Sequence, residues 1–251
     1  LSSICVCVLF VFFTIWRVLL AQSICNCANC MTPGRHVHPN VAANVDYAAV
    51  IGGCASCSTV MGARLAGITP SGNMPHVLPL IMGDAVKAIQ SFDRHMPQEV
   101  PRVALVDTFT DEVEESLSVA QALRERLRGV RLDTPEERGG VTAAMVKEVR
   151  ARLDQAGFRH VEIFVSGGFD AERIREFSKT EAPVDGYAVG SYISSTPPND
   201  FTADIHEIDG RPFAGPVPVG LLLARLGFTV DVGVNNKLEL EQIEAVAVVV
   251  V

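Results

Sequence analysis

A parallel α/β fold, a partial (β/α) barrel of the TIM type, is the architecture this sequence predicts, on three observations. Short apolar runs at 103–107, 129–133, 161–166 and 185–189 alternate with amphipathic stretches of helical length, the pattern of successive right-handed βαβ units on one sheet. Each run ends among Asp, Ser or Gly: Asp107, Asp133, Ser166-Gly167-Gly168 and Gly190-Ser191. Ligands of parallel α/β folds are held at these carboxyl ends of the strands. No Gly-x-Gly-x-x-Gly opens any of the helices that follow, which weakens the alternative of an open, dinucleotide-binding sheet.

Taken in order, Leu1–Ala21 is an apolar run broken by Thr14 and Arg17. It is barely long enough for a membrane span and resembles a signal-peptide core without a basic leader. The preferred expectation for 1–34 is a cysteine-rich apolar segment, non-native or buried, rather than an anchor. The character changes at Met31. Residues 32–39 form a polar, turn-rich entry to a helix over 40–50, with apolar positions at Val41, Val45, Ala48 and Ala49. A small-residue, glycine-containing stretch occupies 51–58, and a short helix over 59–65 ends at Gly67. A tight loop, 69–76, closes on His76 before the apolar run 77–82. A helix over 84–92 and a loop over 93–102 lead into the regular body.

In that body the helix over 111–128 carries acidic residues in its first turns and basic ones at its end, which suits the helix dipole. Further helices are expected over 142–156, closed by Gly157, and over 170–177. Beyond the last strand, 202–212 reads as a hairpin about an Asp-Gly turn. No organisation is evident in 215–251, which ends in an odd run of Ala and Val.

Composition bounds the function. With 48% hydrophobic residues among 251 the chain can build a sizeable core. A formal charge of −8 and a pI near 5.3 argue against a nucleic-acid surface, which needs clustered Lys and Arg. All seven cysteines lie at or before Cys57. An odd count with a cysteine-free body does not look like a disulfide framework. Cys27/Cys30 and Cys54/Cys57 have Cys-x-x-Cys spacing, compatible with a four-thiolate zinc site; reduced thiols are the preferred reading.

The chemistry gathers at the strand ends. Asp107 and Asp133 close consecutive strands, and two such carboxylates suit an octahedral Mg²⁺ that also takes phosphate oxygens; helix N-capping is the plainer role for an Asp at such a junction. Glycines 167, 168 and 190, with Ser166 and Ser191, let backbone N–H groups approach an anion, or simply make turns. Arg35, His36, His38 and Arg131 are cations near expected strand ends, suited to carboxylate or phosphate. His76 fits a nucleophile, an acid–base group or a core histidine.

Together these residues carry a resemblance. Arg-His-Val-His-Pro at 35–39, Gly-Asn-Met-Pro-His at 72–76, Val-Asp-Thr-Phe at 106–109, Gly-Val-Arg-Leu-Asp at 129–133, Ser-Gly-Gly at 166–168 and Val-Gly-Ser at 189–191 occur in this order. Over about 35–211 the chain resembles the nicotinate phosphoribosyltransferases, in the form similar to archaeal and quinolinate-type enzymes. The resemblance implies a type II phosphoribosyltransferase: an incomplete α/β barrel bearing an amino-terminal α/β domain. That domain has no counterpart before Arg35, so the expectation is a barrel domain over 35–211, with 212–251 an uncertain tail. The implied reaction joins nicotinate to phosphoribosyl pyrophosphate (PRPP), with ATP hydrolysis coupled in many members, in a cytoplasmic homodimer or larger assembly.

Carried onto this chain, the resemblance implies Mg²⁺ on Asp107 and Asp133 and the 5′-phosphate on Gly167, Gly168, Gly190 and Ser191. Arg35, His36 and Arg131 would face the pyridine carboxylate or the phosphates. His76 would be the ATP-linked histidine of a Gly-Thr-x-x-His motif in which Asn73 replaces Thr. Competing readings are the quinolinate enzyme, which wants a denser cation cluster, a catalytically inactive phosphate-binding fragment, and a membrane-tethered α/β domain.

Overall fold

The computed structural model describes residues 37–195 in full and the backbone of 30–32, 202–208, 211–212 and 245–250. Arg35 and His36, and the whole of 1–29, lie outside the described residues.

Six strands form one all-parallel sheet: β1 (Cys30–Thr32), β2 (Ser56–Cys57), β3 (Val103–Val106), β4 (Gly129–Leu132), β5 (Glu162–Val165) and β6 (Gly186–Ala188). Their spatial order is β2-β1-β6-β5-β4-β3, so consecutive strands from β3 to β6 are neighbours. Helices α5 (Glu112–Leu123), α6 (Ala143–Gln155) and α7 (Ala171–Lys179) make the crossovers between them. Before β3 run α1 (Pro39–Ile51), α2 (Val60–Ala66), α3 (Val77–Met82) and α4 (Ala85–His95); a single turn, α8 (Ser191–Ser194), follows β6. The sheet is thus a partial barrel, and β2 and β3 stand at its two ends.

Strands β3, β4 and β5 end immediately before Asp107, Asp133 and Ser166, whereas β6 ends at Ala188, two residues before Gly190. Two strands carry no readable sequence pattern. β1 and β2 have only three and two residues, too few for alternation to show, yet β1 bridges β2 and β6.

Helix boundaries follow local chemistry. Thr59, Asp84, Asp111, Thr142 and Asp170 each accept a backbone N–H of the first turn, the bond that makes Ser, Thr and Asp good N-caps. α5 stops well short of residue 128: Arg124 takes φ +51 and a 3-10 turn over Arg124–Arg126 brings the chain to β4. α4 runs past residue 92 to His95, beyond which Arg102, 7% exposed, donates to Asp93 and to the carbonyls of Met96, Pro97 and Val100.

Alternation within the strands decides the site. Val130 and Leu132 of β4 face the helices, with Val119, Val146 and Val149 in the core; Gly129 and Arg131 take the other face. There a Cβ on Gly129 would lie 2.8 Å from both the Glu162 carbonyl oxygen and the Phe164 ring. The carbonyl is β5 backbone and cannot retreat without moving that strand. Gly129→Ala is therefore expected to cost about 1–3 kcal/mol, read as a lower urea midpoint with an unchanged slope.

A second compact unit holds an antiparallel sheet of β7 (Thr202–Ile208), β8 (Arg211–Pro212) and β9 (Ala245–Val250) in the order β8-β7-β9. Ile208 pairs with Arg211, the register of the expected two-residue hairpin. β9 pairs with β7 along its length, giving the terminal apolar run a structure that the sequence did not suggest.

Candidate active site

The register of the sheet sets Asp107, Asp133 and Ser166 in one row. Val106 pairs with Leu132 and Leu132 with Val165, so the next residues of three adjacent strands stand side by side, on the face opposite the helices. Asp133 N–H donates to a carboxylate oxygen of Asp107, and the Ser166 hydroxyl donates to the Leu132 carbonyl at 3.1 Å. One step down, Arg131 is buried. Its Nη1 donates to Asp133 Oδ2 and to Ser166 Oγ, each at 2.8 Å, and its Nη2 to the Met74 carbonyl.

That last bond ties the 69–76 loop to the sheet and brings His76 over the row. Its Nδ1 lies 3.2 Å from Thr108 Oγ1 and 3.8 Å from Asp107 Oδ1, and its Nε2 lies 3.5 Å from Asp133 Oδ2. Four of the expected residues, His76, Asp107, Arg131 and Asp133, thus converge, with Ser166 beside them.

Asp107 is the most constrained of the group. It is 3% exposed and takes φ +102, a conformation that costs a non-glycine residue about 1–3 kcal/mol and persists where surroundings enforce it. Its Oδ1 is buried without a hydrogen-bond partner. Burial, with a smaller push from the Asp133 and Glu112 charges, raises its pKa to about 7 against the opposing effects of the Asp133 N–H and Arg131. Such a group sits where a cation or a proton is wanted.

Gly167 and Gly168 lie exposed in the loop after β5, with φ +90 and +67. A Cβ on Gly167 would stand 3.3 Å from Asp133 Oδ1, so glycine serves here both the turn and the carboxylate beside it. Gly190 and Ser191 follow β6, the neighbour of β5. Arg173 of α7 stacks on Phe169, 4.5 Å from its centroid, and donates to the Gly167 and Val141 carbonyls.

Two participants carry no signal on a sequence alone, and a third, Thr108, carries one only within the Val-Asp-Thr-Phe motif. Glu115, one turn into α5, accepts the N–H groups of Asp107, Thr108, Phe109 and Thr110. Arg138, in a 3-10 turn after β4, donates to the Asp107 carbonyl at 3.1 Å. Thr108 holds the imidazole. Glu115 and Arg138 read as surface charges at helix starts, and only the folded loop turns them inward.

Elsewhere, Cys54 and Cys57 are buried thiols. Burial, then the Asp46 charge, pushes the Cys57 thiol up to about 11. Cys27 and the Cys30 side chain lie outside the described residues. Among the described residues no helix is long and apolar enough to cross a membrane.

The nicotinate phosphoribosyltransferase pncB2 of Mycobacterium tuberculosis is 33% identical over 156 residues, 61% of this chain and 32% of that protein. The nicotinate phosphoribosyltransferase of Bacillus subtilis is 28% identical over 148 residues, 58% of this chain and 29% of that one. The chain therefore spans about a third of the length of these curated relatives. Among solved structures, nicotinate-nucleotide pyrophosphorylase from Pyrococcus furiosus superposes with a TM-score of 0.71 at 42% identity, covering 80% of this chain and 51% of that one. Human nicotinic acid phosphoribosyltransferase superposes at 0.56 and 18% identity over 70% of this chain and 46% of that one, a likeness of fold, the TIM-like barrel of type II phosphoribosyltransferases. The family model described as quinolinate phosphoribosyl transferase, C-terminal domain, matches residues 18–204, and on that match the chain belongs to the quinolinate phosphoribosyl transferase family.

Proposed function

We propose that the chain supplies the barrel site of a nicotinate phosphoribosyltransferase, which forms nicotinate mononucleotide and pyrophosphate from nicotinate and PRPP. The observation that carries the reading is the row Asp107–Asp133–Ser166 with Arg131 beneath it and His76 above. In the reaction the pyridine nitrogen bonds to the anomeric carbon of PRPP as the carbon–oxygen bond to pyrophosphate breaks, and positive charge develops on the ribose. Carboxylates next to that carbon favour the charge, and a site closed to water strengthens their effect.

The residues fit Mg²⁺. Asp107 Oδ1 is a buried oxygen lacking a donor, Asp133 offers a second carboxylate, and magnesium is commonly held by one or two carboxylates together with substrate phosphate oxygens. Bound between them, the ion would supply charge neutralisation for the departing pyrophosphate. The exposed N–H groups around Gly167 and Gly168, with Gly190 and Ser191 on the neighbouring strand, suit the 5′-phosphate. Arg131 orients Asp133, and its guanidinium suits a pyridine carboxylate. Arg35 and His36 keep their proposed roles as further cations, and the ATP-coupled step, through His76, belongs to the same reading: with Nδ1 engaged by Thr108, Nε2 is the nitrogen that faces the carboxylates.

Two observations favour a second reading. The 42% identical pyrophosphorylase and the matching family model suit quinolinate as the substrate, and reaching the same mononucleotide from this dicarboxylate releases one carboxyl group as CO₂. Isothermal titration with PRPP and Mg²⁺, followed by mononucleotide assays with each acid, separates the readings. Turnover of nicotinate alone supports the first; turnover of quinolinate with CO₂ release replaces it; PRPP binding without turnover of either marks a phosphate-binding barrel. Asp133→Asn is expected to lower Mg²⁺-dependent turnover at least about 100-fold with the fold intact by circular dichroism; unchanged turnover removes Asp133 from the site.

A further inference from the structure

The structure assigns Glu115 a role beyond this reading, though resting on it: it is the positioning residue that holds Asp107 in its unusual conformation and, through Thr108, fixes the ring of His76. Its Oε2 accepts the N–H groups of Asp107 and Thr108 at 3.0 and 3.2 Å, and its Oε1 those of Phe109 and Thr110 at 2.7 and 2.9 Å. Four consecutive N–H groups thus converge on one buried carboxylate. On the carbonyl side Arg138 donates to Asp107, and it forms an ion pair with Glu112 at 3.5 Å.

Helix capping does not account for the contact. Asp111 caps α5 by accepting the N–H groups of Val113 and Glu114, each at 2.9 Å, and Glu115 bonds none of the helix's own N–H groups. Its partners all precede the helix, in the loop that begins at the strained residue. An ionised carboxylate is acceptor-only at both oxygens, whereas an amide offers one acceptor and one donor. In Glu115→Gln two of the four N–H groups therefore meet an NH₂ group or lose their partner. Released on one side, Asp107 can return to an ordinary φ, which turns its side chain out of the row and moves Thr108 away from His76 Nδ1.

The test uses the full chain, with Mn²⁺ as the probe ion and two measurements that depend on different parts of the argument. Mn²⁺ affinity is read by electron paramagnetic resonance, and the tautomer of His76 by ring ¹⁵N shifts without metal. Glu115→Gln is expected to weaken Mn²⁺ binding about tenfold or more, as loss of a residue that orients a metal ligand does, and to turn the His76 signal into a mixture of tautomers. Asp111→Ala, which disturbs the same helix start without touching the loop, is expected to keep both signals even where its thermal midpoint falls as far. An Mn²⁺ affinity within about twofold of the parent in Glu115→Gln, where outer partners usually count for tenfold or more, overturns the role, as does an unchanged His76 signal. Should the parent chain bind no Mn²⁺, the metal reading alone fails and the His76 signal decides for or against Glu115. If the Gln variant does not fold, Glu115→Asp serves in its place: it keeps both acceptors on a shorter stem, so the same two losses support the role and their absence overturns it.

Discussion

Asp107→Asn is expected to make the metal-free protein more stable at pH 8 while abolishing the proposed Mg²⁺ binding. In the parent the Asp107 carboxyl has a pKa near 7, against an ordinary 3.8, chiefly because it is buried. A raised pKa in the folded state means that the fold holds a proton that the unfolded chain has released between these values. Stability from this group is thus fully present below about pH 4, falls as the pH rises, and is lost above about pH 7. The amount lost is of the order of a few kcal/mol. An amide carries no charge to bury and still accepts the Asp133 N–H through its oxygen, while its NH₂ takes the place of the unpartnered Oδ1. Thermal melts at pH 5 and 8 check this: the parent's midpoint should fall between them by several degrees more than the variant's. Added Mg²⁺ should raise only the parent's midpoint at pH 8. A variant less stable than the parent at pH 8 would show that the carboxylate is satisfied in the fold.

The same position shows why part of the site is legible in the sequence and part is not. Asp107, Asp133 and Ser166 each follow a short apolar run, so their place at the strand ends can be read, and their common row follows once the runs are aligned. Arg131 is legible as well: a charge inside an apolar strand must lie on the face away from the helices. The bond from Arg131 to the Met74 carbonyl spans 57 positions, and nothing local in the 69–76 loop announces that it folds back over the sheet. Glu115 and Arg138 are less visible still, because acidic first turns and basic loop residues are usually solvated. The backbone strain at Asp107 has no sequence signal, since glycine would be the expected residue at φ +102.

The fold follows a similar division. Elements with their own period or cap, from α4 to β6, appear close to their expected bounds, and most departures have a local cause, such as the turn at Arg124. β1 and β2 are short enough that only pairing defines them: Cys30 and Met31 lie opposite Tyr187 and Ala188, residues more than 150 positions away. β9 is an apolar run that alternation cannot place, and its partner strand settles it.

Arg131→Lys is expected to disable the site although it conserves the charge. Arg131 is 6% exposed, and its guanidinium serves three acceptors on three elements: Asp133 at the end of its own strand, Ser166 after β5, and the Met74 carbonyl in the loop before α3. A planar fork reaches all three at once, whereas an ammonium group on a flexible stem meets one or two. Lysine would keep Asp133, the ionised partner, because charge-assisted bonds are the stronger. The Met74 carbonyl is then the acceptor left behind, and a buried acceptor without a donor costs about 1–3 kcal/mol. That cost falls on the loop two residues before His76, so the imidazole should lose its place over the carboxylates while the barrel survives. Amide exchange in 69–76 should therefore quicken at least about tenfold, the equivalent of 1.4 kcal/mol of local opening, with β4 and β5 unchanged. On the proposed function, turnover with PRPP and nicotinate should fall by about 100-fold, as misplacing a catalytic group by about 1 Å does. Should exchange in the loop stay at the parent's rate, the Met74 bond is not what holds His76, and the interaction with Thr108 must carry it alone.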